Sequence, residues 1–176
     1  MTDPRLAAWA VAFAMSVGGC ASMSATPPTS ATASASTTAT NTPSLSLEDQ
    51  KLVDSKARVV LLWQTIDKLL TDPTSSMNQL DPLVGGDALT SLQLMITRTG
   101  QAGEVQVGKT VVTDQSAVAS GDTWIVNSCI DRSGATFVKS GQPVSASPSP
   151  RLSHQDTLAI IGGYLKVTED KVVGPC

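Results

Sequence analysis

The residues of this chain most suited to acid–base chemistry are a histidine and a nearby carboxylate. His154, the single histidine among 176 residues, lies two positions before Asp156 in the segment LSHQD. On a β-strand, residues two positions apart share a face, so these side chains could meet as a proton-transferring pair. Polar side chains on a partly alternating strand usually lie on its solvated face, and we expect an exposed polar pair there.

Other familiar catalytic and metal-binding patterns are absent from the sequence. It has neither the Gly-x-Ser-x-Gly elbow of a serine hydrolase nor the Gly-x-x-x-x-Gly-Lys-Ser/Thr loop that cradles phosphate. It has one histidine and no Cys-x-x-Cys pair, so it lacks a zinc-site pattern. The sequence therefore predicts no metal and no cofactor, and it assigns no catalytic residue.

The N-terminal segment has the pattern of an export signal. The charged start MTDPR is followed by the uncharged run LAAWAVAFAMSV, from Leu6 to Val17. As a helix this run would rise about 18 Å, which is short of the roughly 30 Å hydrocarbon core of a bilayer. We therefore predict a signal peptide rather than a membrane-spanning helix.

The signal ends in VGGC, at Val17–Cys20, and not in an Ala-x-Ala-like site. This ending resembles the lipobox of bacterial lipoproteins. The resemblance implies cleavage between Gly19 and Cys20, a diacylglycerol on the Cys20 sulfur, and often a further acyl chain such as palmitate on the new amine. The expected location is then the outer face of the bacterial cytoplasmic membrane, in the cell envelope.

The chain has three cysteines: Cys20, Cys129 and Cys176. Lipidation of Cys20 leaves a pair, and outside the cytoplasm such a pair oxidises and stays oxidised. We predict a Cys129–Cys176 disulfide, which would close a loop of about 48 residues.

Composition divides the chain into three parts. Residues 1–19 form the signal peptide, residues 20–46 an uncharged tether rich in Ser, Thr, Ala and Pro, and residues 47–176 a single domain. The tether has too little to bury to become ordered, and we expect disorder there. The net charge is −3 and there is no basic stripe, so we expect no nucleic-acid partner.

The order of elements in the domain predicts an α+β fold. A long helix begins near Ser46 with a capping-box pattern at Asp49, and a second, shorter helical region follows Gly85 and Gly86, where Asp87 could cap it. The remaining sequence alternates with a period of two and predicts an antiparallel sheet. The strand segments are EVQVGKTVVTD, TWIVNSCID, ATFVKSG, RLSHQDTLAII and YLKVTEDKVV.

This order of elements resembles the nuclear-transport-factor-like fold, and more closely the small secreted actinobacterial lipoproteins of that fold. The matching positions are Cys129, Asp131, Gly134, Gly162, Gly163, Tyr164, Lys166 and Val167. The usual aromatic of the final hairpin is Trp, and here it is Tyr164. The resemblance implies a curved sheet wrapped around the long helix, forming a cone with a pocket at its open end.

That fold hosts isomerases and dehydratases as well as non-catalytic binders, so it does not decide function. Asp67 or Asp131 could serve as the base of an isomerase-like site, with Tyr164 as a donor. We expect instead that Asp67 faces solvent on the helix and that Asp131 is a hydrogen-bond acceptor in a turn. The aromatics Trp63, Trp124 and Tyr164 are candidates for the pocket or the core, and we favour the core for the two tryptophans.

We therefore expect a non-catalytic, membrane-anchored envelope lipoprotein that binds a protein partner or an apolar ligand. Its role would be accessory to transport, or surface exclusion as in phage-encoded lipoproteins. The alternatives are a small enzyme of the isomerase or dehydratase type, using Asp131, His154 or Tyr164 in the cone pocket, and a purely structural wall component.

Overall fold

The computed structural model describes residues 45–144 and 151–176. The predicted signal peptide of residues 1–19, the lipidation site Cys20 and nearly all of the tether 20–46 lie outside the described residues. Within the described ranges, no helix is both long enough and apolar enough to cross a membrane.

The first helix, α1, covers Leu47–Thr71. Ser46 caps it as predicted: its hydroxyl accepts a hydrogen bond from the Asp49 amide at 3.0 Å and donates one to the Asp49 carboxylate at 2.7 Å. The helix ends at Asp72, which has an extended backbone, because Pro73 disfavours helical geometry in the residue before it.

The second helix, α2, covers Gly86–Gln101, and its start differs from the prediction. Asp87 is not the cap. Gly85 occupies the N-cap position without a side-chain hydrogen bond, and Asp87 lies in the first turn, where its charge favours the helix dipole. A short 3₁₀ helix, Met77–Gln79, lies in the connection from α1.

Seven strands follow within the described residues, and every neighbouring pair in their two sheets is antiparallel. One sheet has the order β1-β4-β5 and the other has the order β2-β3-β6-β7. The predicted α+β class is confirmed, although the strands divide between two sheets instead of forming one meander. The strands are β1 (Glu104–Gly108), β2 (Val111–Ser120), β3 (Thr123–Asp131), β4 (Ala135–Lys139), β5 (Gln142–Pro143), β6 (Arg151–Ile161) and β7 (Tyr164–Pro175).

The segment EVQVGKTVVTD is predicted as one strand, but the structure divides it. Gly108, with φ 89°, ends β1, and β2 begins at Val111. A Cβ at Gly108 would collide with the Gly134 carbonyl, so this close approach requires glycine. β2 continues past the predicted end at Asp114 to Ser120, because a bulge at Asp114, with φ 52°, lets the pairing with β3 resume.

Irregular register also occurs between β6 and β7, at two places. Because bulges bend strands, these irregularities curve the four-stranded sheet, which packs against α1 and α2. The core fills the space between the helices and the inner face of this sheet. Its largest fully buried apolar side chains are Val59, Leu62, Ile66, Leu80, Val84, Val126, Ile130, Leu158 and Val167.

A disulfide joins Cys129 on β3 to Cys176, the pair that the cysteine count predicts. Cys129 is buried, and the guanidinium of Arg151 lies 3.6 Å from its sulfur. Cys129 pairs with Ser153 on β6, and Ser153 pairs with Gly174 on β7. The disulfide therefore links the end of β7 covalently to β3, although β6 lies between these strands in the sheet.

Candidate functional site

Strand β6 turns polar side chains toward the core. Its alternation buries His154, Asp156 and Leu158 on one face, and Asp156 is 0% exposed. The expectation of a solvated His154–Asp156 pair is therefore wrong. β6 is an internal strand of its sheet, and α1 covers this face, with Trp63 packed against His154.

Neighbouring strands add polar groups around Asp156. Ser128 on β3 pairs with His154, and Asp170 on β7 pairs with Asp156. His154 Nδ1 lies 2.7 Å from Asp170 Oδ1, and the Trp63 ring meets the imidazole edge-on with centroids 5.3 Å apart. We call these five residues the Asp156 cluster.

The carboxyl group of Asp156 is in an unfavourable place for a charge. Its burial, reinforced by the negative charge of Asp170, raises the pKa of Asp156 to about 8. The group is therefore mostly protonated at pH 7. Neither Asp156 oxygen has a hydrogen-bond partner among the described residues, and the same holds for the Ser128 hydroxyl and the Trp63 indole N–H. Buried polar atoms without partners are uncommon in folded proteins.

The Asp156 cluster has the groups of an acid–base site. A protonated Asp156 can give a proton, and His154, oriented by Asp170, can hold one. However, Ser128 and His154 are only 3% and 6% exposed, and the three cavities described next are lined by other residues. In this conformation the cluster is closed to a substrate.

A cavity of about 810 Å³ opens between the C-terminal half of α1 and strand β1. We call it the α1–β1 cavity. Its volume lies within the range of roughly 300–1,000 Å³ that is usual for small-molecule sites. Two other cavities, of about 390 and 450 Å³, lie beside α2 and beside the β6–β7 hairpin. The residues lining the α1–β1 cavity are Gln64, Asp67, Lys68, Thr71, Asp72, Val105, Gln106, Val107, Gly108, Lys109 and Thr110.

Strand β1 turns its polar residue inward and leaves a valine exposed. In EVQVG, Val105 and Val107 share one face. Gln106 is 1% exposed and Val107 is 52% exposed. Both valines line the α1–β1 cavity. The strand therefore presents apolar side chains to an open space.

Asp67 explains this orientation. It is buried on α1, so the expectation that it faces solvent is wrong. Its Oδ1 accepts hydrogen bonds from the Gln106 amide at 2.6 Å and the Thr110 hydroxyl at 2.7 Å, and its Oδ2 accepts one from the Thr110 backbone N–H at 2.7 Å. These charge-assisted bonds draw Gln106 inward and hold the β1–β2 turn against α1.

Asp131 behaves as predicted. Its Oδ1 accepts a hydrogen bond from the Ser133 amide at 2.9 Å in the turn after β3. Hydrogen bonds from Ser133 lower the pKa of Asp131, and Arg151, at 3.5 Å, lowers it further. Asp131 is therefore an ionised turn acceptor.

The three predicted aromatics have different places. Trp63 is buried in the core, Trp124 packs partly buried against it, and Tyr164 is 59% exposed on the β6–β7 hairpin. Tyr164 pairs with Ile161, which is roughly 17 Å along β6 from Asp156 at about 3.3 Å per residue. Asp131 pairs with Arg151, which is a similar distance away in the other direction. The candidate groups Asp131, Asp156 and Tyr164 therefore do not form one site.

The sequence interpretation missed Gln106, Thr110, Ser128 and Asp170. A single polar residue within an apolar stretch of strand, such as Gln106 or Ser128, is a signal that could have suggested a buried polar partner. Asp170 had no such signal, since its position beside His154 depends on the irregular pairing of β6 and β7.

The sequence matches no protein-family model and no curated protein. The structure is similar to the intermembrane space region of the chloroplast protein ARC6, with a TM-score of 0.52 and 16% identity over 75% of this chain and 99% of that one. It is also similar to a protein of unknown function from Mycobacterium tuberculosis, with a TM-score of 0.50 and 12% sequence identity over 75% of this chain and 78% of that one.

An NTF2-like protein from Cytophaga hutchinsonii gives a TM-score of 0.46 and 12% identity, over 74% of this chain and 99% of that one. At such identities, structural likeness concerns the fold alone. The long helix and shorter helix packed on curved antiparallel sheets give the domain the nuclear-transport-factor-like architecture.

Proposed function

We propose that this protein is a lipid-anchored lipoprotein of the bacterial cell envelope whose domain binds an apolar or amphiphilic molecule and catalyses no reaction. In this proposal Cys20 carries the anchor after cleavage at Gly19–Cys20. Residues 20–46 tether the domain to the outer face of the cytoplasmic membrane. The binding role is accessory to transport of the bound molecule, and an envelope protein is the alternative occupant of the site.

The observation that carries the proposal is the orientation of β1. Val105 and Val107 line a cavity of about 810 Å³, and Val107 is 52% exposed, whereas Gln106, which also lines the cavity, is 1% exposed. Covering apolar surface is favourable by about 25 cal/mol per Å². A ligand with an apolar body would therefore gain free energy by lying on these valines.

Charge on the cavity wall favours an amphiphile with a polar or anionic end. The carboxylates of Asp67 and Asp72 both accept hydrogen bonds from within the protein. Bonds from Thr74, and then from Ser75, lower the pKa of Asp72. Lys68 donates to the Gln79 side chain at 2.6 Å, and the exposed Lys109 stands at the end of β1. Since Lys68 is itself hydrogen-bonded to Gln79, Lys109 is the cation of the cavity wall that could meet the polar end of a ligand.

An enzyme acting through the Asp156 cluster is the second candidate, and the protonated Asp156 beside the His154–Asp170 pair is the observation that favours it. Burial opposes it, because a substrate would have to reach a carboxyl group that is 0% exposed. Turnover of any substrate by the wild-type protein would contradict our proposal, and its loss in both Asp156→Asn and His154→Ala would assign the reaction to the Asp156 cluster.

A dye titration tests the binding site directly. An anilinonaphthalene sulfonate dye has an apolar body and an anionic end, and we expect it to bind the wild-type protein with an increase in fluorescence. Val107→Asp places a charge on the apolar wall and should weaken binding at least about ten-fold, which corresponds to about 1.4 kcal/mol.

The matched control is Val118→Asp. Val118 is 53% exposed, almost the same as Val107, but it lies on β2 and lines none of the three cavities. Equal weakening by both substitutions would place the dye elsewhere and contradict the proposal. Mass spectrometry of the protein taken from its own membrane tests the anchor: a chain that still begins at Met1, without acyl mass, would overturn the lipoprotein assignment.

A further inference from the structure

The β6–β7 hairpin exposes large apolar side chains at its turn. Ile160, Ile161 and Tyr164 are 46%, 40% and 59% exposed, and Gly162 and Gly163 form the turn with φ of 60° and 82°. Single exposed apolar residues are ordinary on protein surfaces, but a contiguous group marks a contact surface.

Helix α1 extends this group of residues. Leu61, 45% exposed, lines a cavity of about 450 Å³ together with Ile160 and Tyr164, and Lys51 and Arg58 line the same cavity. We call these five residues the hairpin surface.

Negative charge is scarce at the hairpin surface. Asp54 is the single carboxylate among the residues that line its cavity, and Asp54 Oδ1 accepts a hydrogen bond from Gln50 at 2.9 Å. The surface therefore combines apolar and aromatic side chains with two cations.

We propose that the hairpin surface rests on the lipid membrane, with Ile160 and Tyr164 in the interfacial layer and Lys51 and Arg58 against anionic headgroups. Tyrosine is enriched at membrane interfaces because its ring is apolar and its hydroxyl is polar. Basic side chains are attracted to the negative surface potential of an anionic bilayer. This inference rests on the proposed function, since the anchor on Cys20 is what brings the domain to the bilayer.

The position of the tether agrees with this orientation. It joins α1 at Ser46, and at 1.5 Å per residue Lys51 and Arg58 lie only about 8 and 18 Å further along the helix. A chain of about 26 residues with the composition predicted for the tether would have a root-mean-square span of about 25–30 Å if it behaved as a random coil. The anchor and the hairpin surface can therefore contact one bilayer at the same time, which strengthens a weak second contact through effective concentration.

The proposed ligand site lies further along α1 than the residues of the hairpin surface. The α1–β1 cavity is lined by residues from Gln64 to Asp72 of α1. These residues lie roughly 27–39 Å along the helix from Ser46. The cavity therefore begins about one helical turn beyond Leu61 and continues away from the point where the tether joins α1.

Photo-crosslinking tests the proposed contact. The lipidated protein from its own membrane is placed in phosphatidylcholine vesicles, with or without phosphatidylglycerol, that contain a phospholipid with a diazirine near its headgroup. After illumination, we expect lipid adducts on the peptides that contain residues 51–61 and 160–164, and more of them with phosphatidylglycerol. Ile160→Glu should reduce these adducts several-fold, and Arg58→Glu should remove the effect of phosphatidylglycerol.

Val173→Glu is the control, because Val173 is 55% exposed at the opposite end of β7 and should leave the adducts unchanged. Circular dichroism checks that each variant is folded. Adducts confined to the peptide that carries Cys20 would overturn the hairpin contact but leave the lipid anchor intact. An equal loss of lipid adducts in Val173→Glu would also overturn the proposed membrane contact. Crosslinking of the hairpin to another protein instead of lipid would do the same. Failure of the protein to associate with vesicles would contradict both this inference and the proposed function.

Discussion

Asp156 shows how burial changes the chemistry of a single residue. It is 0% exposed, and its two oxygens have no hydrogen-bond partner among the described residues. A charged carboxylate in such a place would cost far more free energy than a neutral carboxyl group, so the group keeps its proton. The raised pKa of about 8 therefore links the protonation of Asp156 to the stability of the fold.

Asp156 should make the protein less stable as pH rises. Its pKa is about 8 in the folded state and about 3.8 in the unfolded chain. Between these values the unfolded state binds fewer protons, so raising the pH lowers the free energy of unfolding by up to about 1.4 kcal/mol per pH unit. Asp156→Asn mimics the neutral acid and should remove this slope and increase stability near pH 8. Urea denaturation at several pH values measures both effects.

Asp131→Asn is the control for this experiment. Its pKa is lowered in the folded state, so it stabilises the fold above its unfolded pKa and does not produce a loss of stability between pH 4 and pH 8. The prediction for Asp156 is wrong if the wild type and Asp156→Asn have the same slope over this range.

The position of strand β1 depends on contacts within the strand and at its end, and not only on the alternation of apolar and polar residues in its sequence. Val107 is exposed and Gln106 is buried, because the hydrogen bond from Gln106 to Asp67 turns the polar face inward. At its end, Gly108 lets the chain pass directly against the Gly134 carbonyl. The turn into β2 thus brings Thr110 to Asp67 and completes the attachment to α1.

Gly108→Ala should destabilise the protein by about 2 kcal/mol or more. The added Cβ would collide with the Gly134 carbonyl, and φ is 89°, a conformation that alanine rarely adopts. Gly121→Ala is matched to it, because φ there is 60° but nothing lies within 4 Å of the added Cβ. It should cost only about 1 kcal/mol of strain. Chemical denaturation measures the free energy of unfolding of both variants. Equal decreases would show that the close approach at Gly108 does not contribute to stability.

At the scale of the whole domain, the disulfide and the hairpin surface lie at opposite ends of the four-stranded sheet. The Cys129–Cys176 bond lies at the end of the four-stranded sheet where β3 finishes and β7 ends, and the hairpin surface lies at the other end of β6 and β7. In the proposed orientation the hairpin end contacts the membrane. The disulfide then stabilises the end of the four-stranded sheet that lies opposite the proposed membrane contact.

Reduction of the disulfide should lower the free energy of unfolding by roughly 4 kcal/mol, because the bond removes loop-closure entropy from the unfolded chain. The two cysteines are 47 positions apart. The measurement is urea denaturation with and without a reductant. A double variant, Cys129→Ala with Cys176→Ala, should match the reduced protein and not respond to the reductant. An unchanged midpoint on reduction of the wild type would contradict the prediction.

The sequence by itself determined the features that depend on neighbouring residues or on simple counting. The Ser46 cap, the period of α1, the bounds of β3 and β6, the α+β order and the cysteine pair all belong to this group. Caps, periodicity and turn residues act within a few positions along the chain, so they can be seen without the fold. The prediction that Asp131 accepts a hydrogen bond in a turn succeeded for the same reason.

Only the tertiary structure decided which polar residues are buried and what they meet. Asp67 bonds Gln106 from 39 positions away, and His154 meets Asp170 from 16 positions away. Such contacts depend on the register between elements, which two bulged strand pairs alter in this protein. A local pattern assigned Asp67, His154 and Asp156 to solvent, and the structure buries all three. Asp67 and His154 are buried because they meet partners that are distant in sequence, whereas Asp156 is buried as a neutral acid.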